Sequence, residues 1–192
     1  YKLRGAYYKI SKLSQEELDR GVITASAGNH AQGVAYAATH AGARSIVVMP
    51  TTTPLIKVER TKGYGAEVIL YGDVFDDAKQ RAVELAEEQG LTYIPPFNDT
   101  TVATGQGTIA MEIIQELPLV DTILVHVGGG GMACGVSTFS KLYNPKIRVI
   151  GVEPTGAASL TAALEAGHVV KLPSANTIAD GTAVLEVGDK VF

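Results

Sequence analysis

Short apolar runs alternate with longer amphipathic stretches along most of this chain. Runs rich in Val, Ile and Thr predict buried strands, whereas apolar residues that recur every three to four positions predict helices. The predicted strands are Val22–Ala25, Ser45–Met49, Glu67–Leu70, Thr92–Ile94, Thr122–Val127 and Arg148–Val152. The predicted helices are Gly28–His40, Pro54–Tyr64, Asp76–Gln89, Val102–Glu116, Met132–Leu142 and Ala157–Ala166. This alternation predicts an α/β fold with a mostly parallel, doubly wound sheet.

Turn-forming residues divide the chain into two parts. Pro95-Pro96, followed closely by Asn98-Asp99, is the clearest interruption of the pattern. We therefore predict one domain over residues 1–100 and part of another over residues 101–192. The first residue already lies inside a motif, and no initiator Met precedes it. We accordingly expect these residues to be an internal segment of a longer protein.

Composition excludes several classes of protein. The 192 residues are 46% hydrophobic and 19% charged, which is enough apolar material for a sizeable core. A net charge of −4, without any run of Lys and Arg, argues against nucleic-acid partners. No apolar stretch is long enough for a membrane span. Cys134 is the single cysteine, so no intrachain disulfide is possible, and a reducing cytoplasm fits.

Four consecutive glycines, Gly128–Gly131, follow a predicted strand and precede a predicted helix. Backbone without Cβ atoms can approach an anion closely, and the start of a helix adds a favourable dipole, so a phosphate fits this turn. A tightly packed structural turn is the simpler alternative. The segment from Gly128 to Ala133 also matches the pattern G-x-G-x-x-A, with Glu153 after the next strand, as in nicotinamide-dependent oxidoreductases.

A second strand-to-helix turn spans Ser26–His30. The Ser26 hydroxyl and the N–H groups of the first helical turn form a pocket that suits a carboxylate. The Asn29 amide could donate a hydrogen bond to a phenolate-like oxygen. An ordinary side-chain N-cap is the alternative, because Ser and Asn are common at that position.

Lys2 is the candidate nucleophile near the start of the chain. An exposed lysine has a pKa of about 10.4 and is protonated, so its amine is a poor nucleophile. Burial lowers that pKa and frees the amine for reaction with an aldehyde. Taken alone, however, Lys2 is interpreted as a surface charge.

Taken together, Tyr1–Ala6, Ser26–Gly33 and Gly128–Met132 resemble three motifs of the fold-type-II pyridoxal-phosphate enzymes. These are the lysine motif, the Ser-x-Gly-Asn-His-x-x-Gly turn and the phosphate loop. The resemblance is to the threonine dehydratase (threonine ammonia-lyase) and serine racemase group. It implies two doubly wound, mostly parallel, three-layer αβα domains like those of the tryptophan synthase β chain, incomplete in this segment. Residues 1–100 would be the small domain.

The resemblance also implies a role for each site residue, with pyridoxal 5′-phosphate as cofactor. Lys2 would bond the cofactor aldehyde and then act as the base at the substrate α-carbon, with Tyr1 beside the cofactor ring. Asn29 would bond the ring hydroxyl oxygen. The phosphate would be held by Gly128, Gly129, Gly130, Gly131 and Met132. The substrate carboxylate would be held by Ser26, Ala27, Gly28, Asn29 and His30, the last through its backbone more than its ring.

The activity implied by the resemblance is deamination of L-threonine to 2-oxobutanoate and ammonia, in isoleucine biosynthesis, with L-serine giving pyruvate. Ala27 stands where racemases of the group carry a serine, which favours elimination over racemisation. A homodimer or homotetramer is expected. The alternatives are a serine racemase or serine dehydratase of the same group, an NAD(P)-dependent oxidoreductase, and a non-catalytic binding protein.

Glu153 has two possible roles, as a metal ligand or as a helix cap. In some members of the group, a glutamate at this position is the first ligand of a divalent cation. Here Ser159 stands where an acidic ligand is expected, and a hydroxyl is a poorer ligand for a hard cation. We therefore expect no metal, and the other interpretation is that Glu153 caps the following helix.

Overall fold

A computed structural model describes all 192 residues, which form two compact units, Tyr1–Pro96 and Phe97–Phe192. The first unit contains α1 (Lys2–Ser11), α2 (Gln15–Arg20), β1 (Val22–Ala25), α3 (Asn29–His40), β2 (Ser45–Met49), α4 (Leu55–Gly63), β3 (Glu67–Leu70), α5 (Phe75–Gln89) and β4 (Thr92–Tyr93). The second contains α6 (Thr100–Glu116), β5 (Thr122–His126), α7 (Gly131–Tyr143), β6 (Arg148–Val152), α8 (Ser159–Ala166) and 3₁₀ turns at Thr155–Ala157 and Asp180–Thr182. The predicted α/β class is confirmed.

The first unit is built around a four-stranded sheet in the order β3-β2-β1-β4, with every pair parallel. Helices α1 and α3 cover one face around Val22 and Val34, and α5 covers the other around Ile23 and Ile46. Strands β1 and β2 are therefore buried on both faces, which is why their sequences are uninterrupted apolar runs. This arrangement confirms the predicted doubly wound sheet.

The start of α1 is held against α3 by a close contact at Gly33. A Cβ atom at Gly33 would lie 3.1 Å from the backbone nitrogen and Cα of Leu3, and 3.3 Å from the carbonyl carbon of Lys2. A side chain at this position would therefore require the start of α1 to shift by a few tenths of an ångström. The contact fixes the backbone of Lys2 beside the first turns of α3, the helix that begins after the Ser26–Gly28 turn.

The second unit contains the parallel pair β5 and β6, with α6 and α7 packed against it around Ala110, Ile123 and Val136. The two helices approach so closely that a Cβ atom at Gly135 would overlap the carbonyl oxygen of Ala103. Strand β5 leads through the four glycines directly into α7. The position of that turn is thus set by a buried strand on one side and a tightly packed helix on the other.

Local capping signals in the sequence are largely reproduced. The sequence Ser14-Gln15-Glu16-Glu17 has the pattern of a capping box, and this box forms at the start of α2, with Glu17 N donating to Ser14 Oγ and Ser14 N donating to Glu17 Oε2. Helix α4 begins at Leu55 and not at Pro54, because the Pro54 carbonyl accepts the first helical bond, from Lys57 N. No helix combines the length and the hydropathy that a bilayer crossing requires.

Candidate active site

The amine of Lys2 is partly buried in the first unit and donates a hydrogen bond to the carbonyl oxygen of Pro96. Burial disfavours the ammonium form and lowers the pKa of Lys2 from 10.5 to about 8. A substantial fraction of the amine is therefore neutral at mildly alkaline pH. The interpretation of Lys2 as an exposed surface charge is wrong, because it ignores the tertiary contacts that cover the side chain.

His30 is buried in the first unit, near enough to Lys2 to feel its charge, and only 2% of the residue is exposed. Its pKa is lowered to about 3 by burial, and further by the positive charge of Lys2. The ring is therefore neutral, and Nε2 carries the proton because it faces the carbonyl oxygen of Ile94 at 2.9 Å. Nδ1 is buried without a hydrogen-bond partner. The sequence alone predicts no role for the ring, because nothing in the neighbouring residues shows that β4 ends beside it.

The Ser26–His30 turn leaves the start of α3 without a side-chain cap. Gly28 is the N-cap residue, and the Ser26 hydroxyl accepts a hydrogen bond from Gly28 N at 3.2 Å, before the helix begins. The N–H groups of Asn29 and His30 donate to no backbone carbonyl. The alternative of an ordinary Ser or Asn cap is therefore wrong, and the helix presents unpaired donors to an anion.

The four-glycine turn of the second unit also leads into a helix that has no side-chain cap. Gly130 adopts a left-handed conformation, with φ of +91°, and serves as the N-cap residue of α7 without a side-chain hydrogen bond. The first helical bond runs from Cys134 N to the Gly130 carbonyl at 2.8 Å. The N–H groups of Gly131 and Met132 donate to no backbone carbonyl, so this turn also presents donors at a positive helix end.

Packing explains why the turn is made of glycine throughout. A Cβ atom at Gly129 would overlap the ring of Phe97, and one at Gly131 would lie 2.8 Å from the Phe97 carbonyl oxygen. A Cβ atom at Gly128 would lie 3.1 Å from the Cα atom of Thr182. Neither Phe97 nor Thr182 is predicted from the sequence, although Phe97 directly follows the Pro95-Pro96 break.

Glu153 is bound to the start of α8. Its Oε1 accepts from Leu160 N at 2.8 Å, and its Oε2 accepts from the N and Oγ1 of Thr161 at 2.9 and 2.7 Å. This confirms the capping interpretation. The carboxylate is fully used within the chain, so it is poorly suited to binding a ribose.

The sequence model of the family described as "Pyridoxal-phosphate dependent enzyme" matches residues 1–192. The chain is 54% identical over 192 residues to threonine dehydratase 2 biosynthetic, chloroplastic, of Solanum lycopersicum. It is 49% identical over 192 residues to L-threonine dehydratase biosynthetic IlvA of Escherichia coli. All of this chain is covered in both comparisons, but it spans only 32% and 37% of those proteins, about a third of their length.

Solved structures give the same result for the fold. The processed form of threonine deaminase isoform 2 from Solanum lycopersicum superposes with a TM-score of 0.97 at 54% identity, covering 99% of this chain and 55% of that one. Maize serine racemase superposes with a TM-score of 0.95 at 38% identity, covering 99% of this chain and 57% of that one. These findings confirm the resemblance to this group and its fold type. They leave no part of the chain for a nicotinamide-binding domain.

Proposed function

This chain belongs to the family of pyridoxal-phosphate-dependent enzymes, and on that premise we propose that the intact protein is a threonine ammonia-lyase. It would convert L-threonine into 2-oxobutanoate and ammonia, and L-serine into pyruvate and ammonia. The observation that carries the proposal is the Lys2 amine, which burial makes a much better nucleophile than a surface lysine. The identity to proteins named threonine dehydratase supports the substrate.

The residues present fit the cofactor. Its aldehyde needs an amine that is neutral near the working pH, and the pKa of Lys2 at about 8 supplies one. Its phosphate needs N–H donors without a partner in the protein, and the turn from Gly128 to Met132 supplies such donors at the start of α7. We propose that Lys2 binds the aldehyde, that Asn29 bonds the ring hydroxyl oxygen, that Tyr1 lies beside the ring and that this turn binds the phosphate.

The substrate carboxylate is assigned to the turn formed by Ser26, Ala27, Gly28, Asn29 and His30. The uncapped N–H groups at the start of α3 favour an anion, and the Ser26 hydroxyl adds a polar group beside them. An amino acid bound there is oriented by its carboxylate. This orientation fixes which bond at the α-carbon faces the base.

When bound, the cofactor supplies an electron sink for the charge that develops at the substrate α-carbon. Once the substrate amino group has replaced Lys2 at the aldehyde, the released amine would accept the α-proton at Nζ, and burial favours its neutral form. The β-hydroxyl group then leaves with a proton as water. Hydrolysis of the dehydrated product consumes one water and releases ammonia, so the net change is threonine to 2-oxobutanoate plus ammonia.

Elimination is proposed over racemisation because of Ala27. Racemisation requires a second group that returns a proton to the opposite side of the α-carbon. The methyl side chain of Ala27 cannot carry a proton, whereas a serine at this position could. The structural similarity to serine racemase therefore concerns the fold and the cofactor more than the outcome of the reaction.

The cellular context is proposed on the same basis. Both dehydratases compared above are named biosynthetic, which supports a role in isoleucine biosynthesis. We propose a cytoplasmic homo-oligomer, a dimer or tetramer, with a small amino acid as its substrate. Nucleic acid and membranes are not proposed as partners, since the net charge is −4 and no basic run is present.

The deciding experiment is a keto-acid assay on the intact protein with L-threonine and L-serine in parallel, with and without isoleucine. We expect 2-oxobutanoate from threonine, pyruvate from serine, and loss of both products in Lys2→Ala. A visible absorption band that borohydride bleaches should be absent from that variant. D-serine formed as fast as pyruvate would favour the racemase. Bound cofactor without any turnover would favour a binding protein.

A further inference from the structure

Two segments that are distant in sequence hold the four-glycine turn of the second unit. The first is Phe97-Asn98, whose phenyl ring occupies the space beside Gly129. The second is Val187–Lys190, in which the N–H of Gly188 donates a hydrogen bond to the carbonyl oxygen of Gly129 at 3.1 Å. In addition, Val187 Cγ2 lies 2.8 Å from the position of a Cβ atom at Gly130. The turn is thus contacted by side chain and backbone from both segments.

Asn98 and Asp189 join these two segments to each other. Asn98 Nδ2 donates to Asp189 Oδ1 at 2.5 Å, and Asn98 Oδ1 accepts from Lys190 N at 2.9 Å. The hydrogen bond from Asn98 is the main reason why the pKa of Asp189 lies below its usual value. The amide of Asn98 therefore uses both its donor and its acceptor on consecutive residues of the second segment.

The turn needs such support because glycine has more backbone freedom to lose than any other residue. An anion site gains affinity only if its donors are already arranged when the anion arrives. The contact from Gly188 to Gly129 can fix the turn only while Gly188 is itself fixed. Gly188 lies against the Asn98 side chain, since a Cβ atom there would be 2.7 Å from Asn98 Oδ1.

We propose that Asn98 and Asp189 are positioning residues for phosphate binding by the four-glycine turn. The proposal rests on the function proposed above, in which this turn binds the cofactor phosphate. Neither side chain needs to touch the phosphate. Their role is to hold Val187 and Gly188 against the turn, so that its N–H groups stay convergent.

The test compares pyridoxal 5′-phosphate with pyridoxal, which lacks only the phosphate, in binding titrations of the intact cofactor-free protein. Asn98→Asp places two carboxylates against each other and should weaken binding of the phosphorylated ligand about tenfold, while pyridoxal affinity changes less than about twofold. Asn98→Ala removes both hydrogen bonds without adding charge, and should act in the same direction. Asp121→Asn, an exposed carboxylate of the same unit outside these segments, is the matched control and should change neither affinity.

An exchanged pair provides the sharpest comparison. In the double variant with Asn98→Asp and Asp189→Asn, the carboxylate introduced at position 98 can accept from both the amide introduced at position 189 and Lys190 N. Selective affinity for the phosphorylated ligand should therefore return.

Three outcomes would overturn the proposal. The first is unchanged phosphate-dependent affinity in both single variants at position 98. The second is an equal loss for the two ligands, which would indicate a general folding defect. The third is failure of the exchanged pair to recover. A wild-type protein that binds no pyridoxal 5′-phosphate would instead overturn the proposed function, and this proposal with it.

Discussion

His30 Nε2 lies 2.9 Å from the carbonyl oxygen of Ile94, and Thr24 Oγ1 donates to that same oxygen at 2.8 Å. Both donors are buried, and both hold the end of β4 against the rest of the first unit. Two residues further along the chain, the carbonyl of Pro96 accepts the hydrogen bond from the Lys2 amine. The pair of donors therefore fixes the backbone that leads to the acceptor of the proposed nucleophile.

Replacement of His30 by Phe should destabilise the protein, because the Ile94 carbonyl loses one of its two buried donors. We expect the free energy of unfolding to fall by about 1–3 kcal/mol, measured by urea denaturation. Thr24→Val removes the other donor, and because the two share one acceptor, the double variant should show non-additive losses. Strictly additive losses would mean that the two hydrogen bonds do not cooperate.

Lys2 should give the stability of the cofactor-free protein a distinctive pH dependence. Burial lowers its pKa from 10.5 to about 8, so between these values the unfolded chain binds more protons than the folded one. The contribution of Lys2 to the free energy of unfolding therefore rises with pH from about 8 to about 10.5. Lys2→Met should be more stable than the wild type at about pH 7, with a difference that shrinks across this window. A difference that is independent of pH would contradict the burial of the amine.

Gly33 should be more sensitive to substitution than its position in a helix suggests. An alanine normally stabilises a helix relative to glycine by about 1 kcal/mol. At Gly33 the new Cβ would instead lie 3.1 Å from the Leu3 backbone and push the start of α1 away. We expect Gly33→Ala to lose stability and to slow the reductive trapping of Lys2 by pyridoxal 5′-phosphate and borohydride. Gly63→Ala, in α4 with open space around it, is the matched control and should be neutral or stabilising.

Strands β1 and β2 could be predicted from sequence because burial on both faces leaves a continuous apolar run. The capping box at Ser14 and Glu17 was equally predictable, since its two hydrogen bonds join residues three apart. The burial of Lys2 was not, because it depends on Pro96, which lies 94 residues away. Phe97 was missed for the same reason. Its contact with the glycines joins residues that are distant in sequence, and it produces no repeating pattern of hydrophobic residues in either segment.

Glu153 should behave as a helix cap in stability measurements. Glu153→Ala leaves the N–H groups of Leu160 and Thr161 without their acceptor and should lower the free energy of unfolding by about 1–2 kcal/mol. Glu153→Gln keeps an acceptor oxygen and should lose less. Urea denaturation with and without magnesium tests whether this carboxylate also binds a divalent cation. A large magnesium-dependent stabilisation that disappears in Glu153→Gln would favour the ligand role.

Substitutions at Gly129 and Gly131 should differ in whether a change at Phe97 rescues them. The Cβ of Gly129→Ala meets the Phe97 ring, whereas that of Gly131→Ala meets the Phe97 carbonyl oxygen at 2.8 Å and its Cα at 3.0 Å. Phe97→Ala removes the Cγ and Cδ atoms of the first clash but cannot move the backbone that causes the second. In double-mutant cycles of pyridoxal 5′-phosphate affinity, we expect a favourable coupling of about 1 kcal/mol or more between positions 97 and 129, and almost none between positions 97 and 131. Equal coupling for both pairs would mean that the turn adjusts as a whole, and that Phe97 does not fix it residue by residue.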